Sequence, residues 1–111
     1  MNINFSGYNE NVVTFEVEGS DVTMGTPVKM ASSNTVCACG IGDSMVGVAV
    51  NVRNGYAAVQ LSGYIEMPTD DEFSVGYTKI ASASENKVTQ SENGREYLVV
   101  SVSDALVGFI L

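Results

Sequence analysis

Cys37 and Cys39 are the only thiols in the chain, and a single residue, Ala38, separates them. In an extended segment alternate side chains share a face, so both sulfurs point the same way. A structural zinc site takes four ligands, usually cysteine and histidine. With no histidine and no third thiol, one copy of the chain cannot complete such a site. A disulfide closing so short a loop is strained. The pair therefore reads as two structural thiols in a reducing compartment, with an intersubunit metal or disulfide site as the alternative.

The remaining chemistry is sparse. Lacking histidine, the chain has no imidazole to serve as general base or to activate a nucleophile. Asp70-Asp71-Glu72 is the one acidic cluster, but adjacent carboxylates on extended backbone point in alternate directions and do not form an acid/base pair. Nor do they follow the alternating ligand pattern of a calcium loop. They read as a solvated loop, with contact to a basic patch on a partner as the alternative. Gly40-Ile41-Gly42 lacks the third glycine and the helix of a dinucleotide fingerprint. Lys29, Arg53, Lys79, Lys87 and Arg95 are scattered, and none lies in a phosphate loop. The expectation is a non-enzymatic protein with no catalytic, cofactor-binding or metal-binding residues and no cofactor.

The elements that would position these groups are strands. The chain has 111 residues, 45% of them hydrophobic, with 11 glycines and 2 prolines. That length suits one domain with one real core. Valine dominates the apolar residues, and β-branched and aromatic side chains fit a pleated surface better than a helix. No segment carries an apolar stripe at helical spacing. The clearest pattern runs from Met45 to Met67. Val46, Val48, Val50 and Val52 alternate with smaller or polar residues, then Asn54-Gly55 intervenes, then Ala57, Val59, Leu61, Ile65 and Met67 alternate again. Asn-Gly between alternating runs is the strongest short-range hairpin signal, because a type I′ turn needs positive φ at both central residues. A two-residue turn sets Arg53 opposite Tyr56, Val52 opposite Ala57, Val50 opposite Val59 and Val48 opposite Leu61.

A second hairpin is expected around Asp104-Ala105. It pairs Ser103 with Leu106, Val102 with Val107, Val100 with Phe109 and Leu98 with Leu111, which makes the C-terminal run a core strand. Val13, Phe15 and Val17 mark a half-buried strand. Val28 to Met30 after Pro27 reads as an edge strand, and Val36 to Cys39 as another short one. Ser74 to Ile80 is a further strand, and Val88 to Gln90 is expected to pair across Asn93-Gly94 with Tyr97-Leu98. The fold class is thus all-β, a small compact β-sandwich or partly open barrel of short antiparallel strands. Residues 1–11 read as an N-terminal arm and residues 12–111 as a single β domain. Contacts to a partner are expected from Ile3, Phe5 and Tyr8 in the arm. Tyr56 and Tyr64, on the outward face of the central hairpin, read as cross-strand packing with Arg53 or against a second layer, with further contacts to a partner as the alternative, since tyrosine is enriched at interfaces.

Thirteen acidic residues against five basic ones give a formal charge of −8, which repels a phosphate backbone and argues against nucleic acid as a partner. No run approaches the roughly twenty apolar residues of a membrane helix. Met1-Asn2-Ile3-Asn4-Phe5 has neither the basic nor the apolar region of a signal peptide. The expectation is a protein that stays where it is made or leaves inside an assembled particle.

Three longer segments and two short ones carry a resemblance. They are Gly25-Thr26-Pro27-Val28-Lys29-Met30, Gly42-Asp43-Ser44-Met45-Val46-Gly47-Val48-Ala49-Val50, and the stretch from Val52-Arg53-Asn54-Gly55-Tyr56 to Tyr64-Ile65-Glu66-Met67-Pro68. Val75-Gly76-Tyr77 and Gly94-Arg95-Glu96-Tyr97-Leu98-Val99-Val100 follow in order. In this order the series resembles the capsid decoration, or cement, proteins of tailed phages and prophages, over roughly residues 19–111. The resemblance implies a compact β domain, often a homotrimer, that binds the major capsid protein on the outside of the mature shell and stiffens it. It implies a place on the virion exterior, with the bacterial cytoplasm as the site of assembly. It carries over no catalytic residues. The Cys37/Cys39 pair is not a hallmark of that family. A non-catalytic surface- or glycan-binding β-module is the alternative, although such platforms usually use tryptophan and the chain has none.

Overall fold

A computed structural model describes residues 11–111. The described chain is all strand and turn, as its composition requires. Ten strands follow in sequence: β1 (Asn11–Val17), β2 (Pro27–Ser32), β3 (Thr35–Ala38), β4 (Gly47–Arg53), β5 (Tyr56–Ser62), β6 (Tyr64–Pro68), β7 (Gly76–Ser82), β8 (Val88–Gln90), β9 (Arg95–Ser103) and β10 (Leu106–Ile110). The first five close into a barrel in the order β1-β3-β2-β4-β5, and the last five form a sheet in the order β6-β10-β9-β7-β8. Asn11, placed in the arm by the sequence reading, opens β1 and pairs with Ser62 of β5. Ile3, Phe5 and Tyr8 lie outside the described residues.

Two cores result, and their residue sizes differ. The barrel encloses Val22, Val28, Val36, Ala49, Ala57 and Val59. A barrel of five strands has a narrow interior, and only small side chains fill it without strain. The second core contains Phe109, Met45, Met67, Phe73, Ile80 and Tyr97 with four valines. It lies between the inner face of the sheet and the barrel wall, since Met45 and Val48, just before and on β4, belong to it while Ala49 faces the barrel interior. Tyr97 fastens the two layers: its hydroxyl donates to the carbonyl of Met45 at 3.0 Å, and its ring packs on Phe109 with centroids 5.3 Å apart.

Both predicted hairpins form, each with a correction. Around Asn54-Gly55 the pairs Arg53–Tyr56 and Val52–Ala57 are as expected, and both turn residues have positive φ (53° and 81°). A bulge then shifts the register, so that Ala49, not Val50, faces Val59 and Val48 faces Gln60. The extra residue in β4 lets Ala49 and Val52, three residues apart, both face the barrel core, while Val48 faces the other. In the second hairpin Ser103–Leu106 and Val102–Val107 hold, after which a bulge places Val99 opposite Phe109 and Leu98 opposite Ile110. Strand β10 is indeed a core strand, with Val107 and Phe109 fully buried.

Three other expectations are overturned. The run from Ala57 to Met67 is not one strand: it breaks at Gly63 (φ 94°), and Ile65 and Met67 pass to the second sheet. Strand β2 is not an edge, because β3 and β4 flank it; Pro27 is tolerated as its first residue, where its carbonyl still accepts from the Cys39 amide. Strand β8 pairs with β7, not β9, through Ile80–Gln90, Ala81–Thr89 and Ser82–Val88.

Candidate interaction surface

The two tyrosines expected to share a face sit in different sheets. Tyr56 opens β5 on the barrel, opposite Arg53 and Glu16, and is 51% exposed. Tyr64 opens β6, and its ring lies over Gly108, where the absence of a side chain leaves room for it. The Tyr64 hydroxyl donates to Glu66 Oε2 at 3.0 Å, and with its single hydrogen so used it accepts from Ser101 Oγ, also at 3.0 Å. Partial burial raises the Tyr64 pKa above its ordinary value. Tyr64 is therefore a half-buried strut across three strands, and of the pair Tyr56 alone is exposed.

The register reveals a surface that the sequence reading did not single out. Tyr64 faces Ile110, Ile110 faces Leu98, and Leu98 faces Tyr77. These four residues form an apolar row across the outer face of the sheet, opposite the side that packs on the barrel. At the far end of the row Tyr77 is 72% exposed, and Val75, just before β7, is nearly as open. The signal for Tyr77 was its place on the face of β7 opposite the buried Ile80, but Ser74–Ile80 alone does not tell which neighbour β7 has. Beside Tyr77 lies a shallow polar concavity lined by Lys79, Gln90, Glu92 and Glu96.

The acidic cluster is a latch. Asp71 accepts hydrogen bonds from the Gln90 amide at 3.0 Å, from Thr89 Oγ1 at 2.9 Å and from the Glu72 amide at 2.9 Å. The Gln90 amide, above all, holds the Asp71 carboxyl below its ordinary pKa. Thr69 Oγ1 donates to the carbonyl of Val88 at 2.6 Å, and Asp70 pairs with Lys87 at 2.9 Å. Together these bonds lay residues 69–71 along the outer side of β8 and occupy its edge. Between this loop and the Asp104-Ala105 turn is an open concavity of about 560 Å³ lined by Asp70, Asp71, Glu72 and Asp104 around Phe73 and Val102. Among the described residues no group of three or more histidine, cysteine or carboxylate side chains is placed to hold a metal.

Cys37 and Cys39 are both free thiols and both partly buried. Cys37 stands opposite Lys29, whose ammonium pairs with Asp43 at 2.7 Å. The Lys29 hydrogen bond lowers the Asp43 pKa and the same bond raises that of Lys29. Cys39 packs against the second core, and burial, with Asp43 nearby, pushes its thiol up to about 12. A thiol held neutral in this way is a poor nucleophile and a poor metal ligand. No protein-family model matches the chain, and no curated protein matches it significantly.

Proposed function

We propose that this chain is a capsid decoration protein, which binds the outside of a mature phage or prophage head through the major capsid protein and stabilises it. The reading rests on the ordered resemblance of residues 19–111 together with one structural observation. Tyr56, Val75 and Tyr77 are large side chains exposed on strands and turns, while the concavities beside Tyr77 and Phe73 are open and lined mainly by polar groups. Ligand sites for small molecules have the opposite character, a deep apolar cleft with few polar groups. Exposed apolar side chains on a β frame suit a large, shaped partner. The mechanism is mass action: a protein that binds only the expanded shell stabilises that shell against disruption. The reading is non-catalytic, and a homotrimer on the lattice follows from the resemblance.

Mixing the purified protein with empty mature heads of its own phage tests this directly. Stoichiometric binding and a higher disruption temperature are expected; heads that sediment without the protein reject the reading.

A second reading has its own observation. Tyr77 rises beside a groove carrying Lys79, Gln90 and Glu96, which combines a ring face with hydrogen-bonding groups as a glycan subsite does. Binding to a glycan array that disappears in Tyr77→Ala would favour the surface-binding module.

A further inference from the structure

Two turns of the barrel repeat one design. In Thr23–Thr26 the Thr26 amide donates to the Thr23 carbonyl at 3.1 Å, and in Gly40–Asp43 the Asp43 amide donates to the Gly40 carbonyl at 3.1 Å. The third residue of each is a glycine with positive φ, Gly25 at 90° and Gly42 at 86°, as a type II turn requires. Each of these glycines donates its amide to the carbonyl of a neighbouring strand, Gly25 to Ala49 at 2.7 Å and Gly42 to Ser82 at 2.8 Å. A side chain closes each turn again: Thr26 Oγ1 accepts from the Thr23 amide, and Asp43 Oδ2 accepts from the Gly40 amide at 2.8 Å while holding Lys29. At the second position, the outermost point of each turn, stand Met24 at 70% exposure and Ile41 at 79%.

The register puts the two turns at the same end of the β2-β3 pair. Strands β2 and β3 are antiparallel with Val28 opposite Ala38, and the Cys39 amide donates to the Pro27 carbonyl. The Met24 turn therefore enters β2 at the same end at which β3 leaves for the Ile41 turn. A polar or small residue suits these solvent-facing positions, and nothing in the barrel requires an apolar side chain there. Holding two of them out on turns fixed by three or more hydrogen bonds costs solvation and saves conformational entropy when they are buried by a partner.

We infer that Met24 and Ile41 form a two-pronged apolar anchor that inserts into paired sockets on the repeated outer face of the capsid shell; this rests on the decoration reading above. Charge and size select that occupant. The cation beside the fork, Lys29, is committed to Asp43, so no basic group stands ready for lipid headgroups or nucleic acid. Two side chains also bury far less than the roughly 800 Å² per partner that a free-standing interface between two copies needs. Contacts this small become effective when linked copies, as in the homotrimer that the resemblance implies, engage one lattice at once.

The test is co-sedimentation with empty mature heads, comparing the wild type with Met24→Ser, Ile41→Ser, the double variant and, as a control, Met30→Ser, another exposed apolar residue of the barrel. Each single variant is expected to weaken binding about tenfold or more, since burial of such a side chain carries that much. The Met30→Ser control is expected to bind like the wild type, and all variants to melt within about two degrees of it, since exposed substitutions away from structural contacts have small effects. If the wild type binds and the double variant binds equally well, the anchor is rejected while the decoration reading stands. If the wild type itself does not bind, both fall. Loss of self-association in the double variant, or its failure to float with neutral vesicles that capture the wild type, would reassign the fork to a second copy or to lipid and overturn the proposal.

Discussion

The barrel and the sheet solve the same problem, a β-structure in water, by different means. Closing β1 onto β5 and β3 removes every edge from the barrel, which then needs no guards. The sheet stays open and has to cover two edges with side chains. Asp71 and Thr69 occupy one along β8. On the other, Leu111 donating to Gly63 and Thr69 donating to Ala105 fix the alternation of β6, which turns Tyr64, Glu66 and Pro68 outward. Pro68 has no amide to offer there, and Gln60 Nε2 donates to the Tyr64 carbonyl at 3.0 Å. Closure limits side-chain size and an open sheet does not, so the barrel has a valine and alanine core while the second core holds Phe73, Phe109, Met45, Met67 and Tyr97.

Truncation separates the two cores most sharply. Phe109→Ala is expected to cost about 3–5 kcal/mol in urea unfolding, whereas Val59→Ala, which deletes two methyl groups, costs about 2 kcal/mol. Equal losses would mean that the two cores do not differ in how they are packed. Enlargement acts the other way. Ala57→Leu inside the barrel is expected to destabilise by about 1–3 kcal/mol through overpacking, while Ile80→Leu in the sheet stays under about 1.5 kcal/mol. If Ala57→Leu is neutral, the barrel interior has spare room.

The latch should show in pH. The Asp71 carboxyl titrates below its unfolded value, so its contribution is present above the unfolded pKa and is lost as pH falls through the folded one. Asp71→Asn is therefore expected to lower the melting temperature at pH 7 and to flatten its decline as pH falls below about 4, the ordinary aspartate value. An unchanged acid limb would show that Asp71 does not hold the loop to β8. The smallest effect is at the junction. Cys39, raised to about 12 where it packs on the second core, is expected to react with iodoacetamide at pH 8 only as fast as the sheet parts from the barrel. Alkylation at the rate of an unfolded thiol would show that the junction is loose.

How much of this was legible in the sequence follows from the patterning of particular residues. Asn54-Gly55 and Asp104-Ala105 announced their hairpins, because turn chemistry is local. The bulges were hidden because Val48-Ala49-Val50 and Leu98-Val99-Val100 are apolar on both faces, so alternation cannot say which residue is the extra one. The break at Gly63 was masked by alternation continuing in phase from Leu61 to Ile65. Closure of β1 onto β3 left no trace, since a parallel pair between Val17 and Val36 depends on the whole barrel. For the surface, Tyr56 was readable as exposed, but Tyr64 was not readable as a strut, because Gly108 and Ser101 meet it only through long-range pairing. Met24 and Ile41 look like ordinary apolar residues until their turns are seen.

The pairing of β6 with β10 has a further consequence for how the molecule comes into being. Tyr64–Pro68 follows the barrel by a single residue, yet its partner is Leu106–Ile110 at the far end of the second half. The barrel can close as soon as Ser62 is available, whereas β6 must wait for about forty further residues. Such non-local pairing makes folding slow and leaves strand edges uncovered in the interval. The mature molecule carries its guards on both sheet edges, but the nascent one passes through a stage in which β6 is made and β10 is not. Refolding is accordingly expected in two phases, a faster one for the barrel and a slower one that buries Phe109.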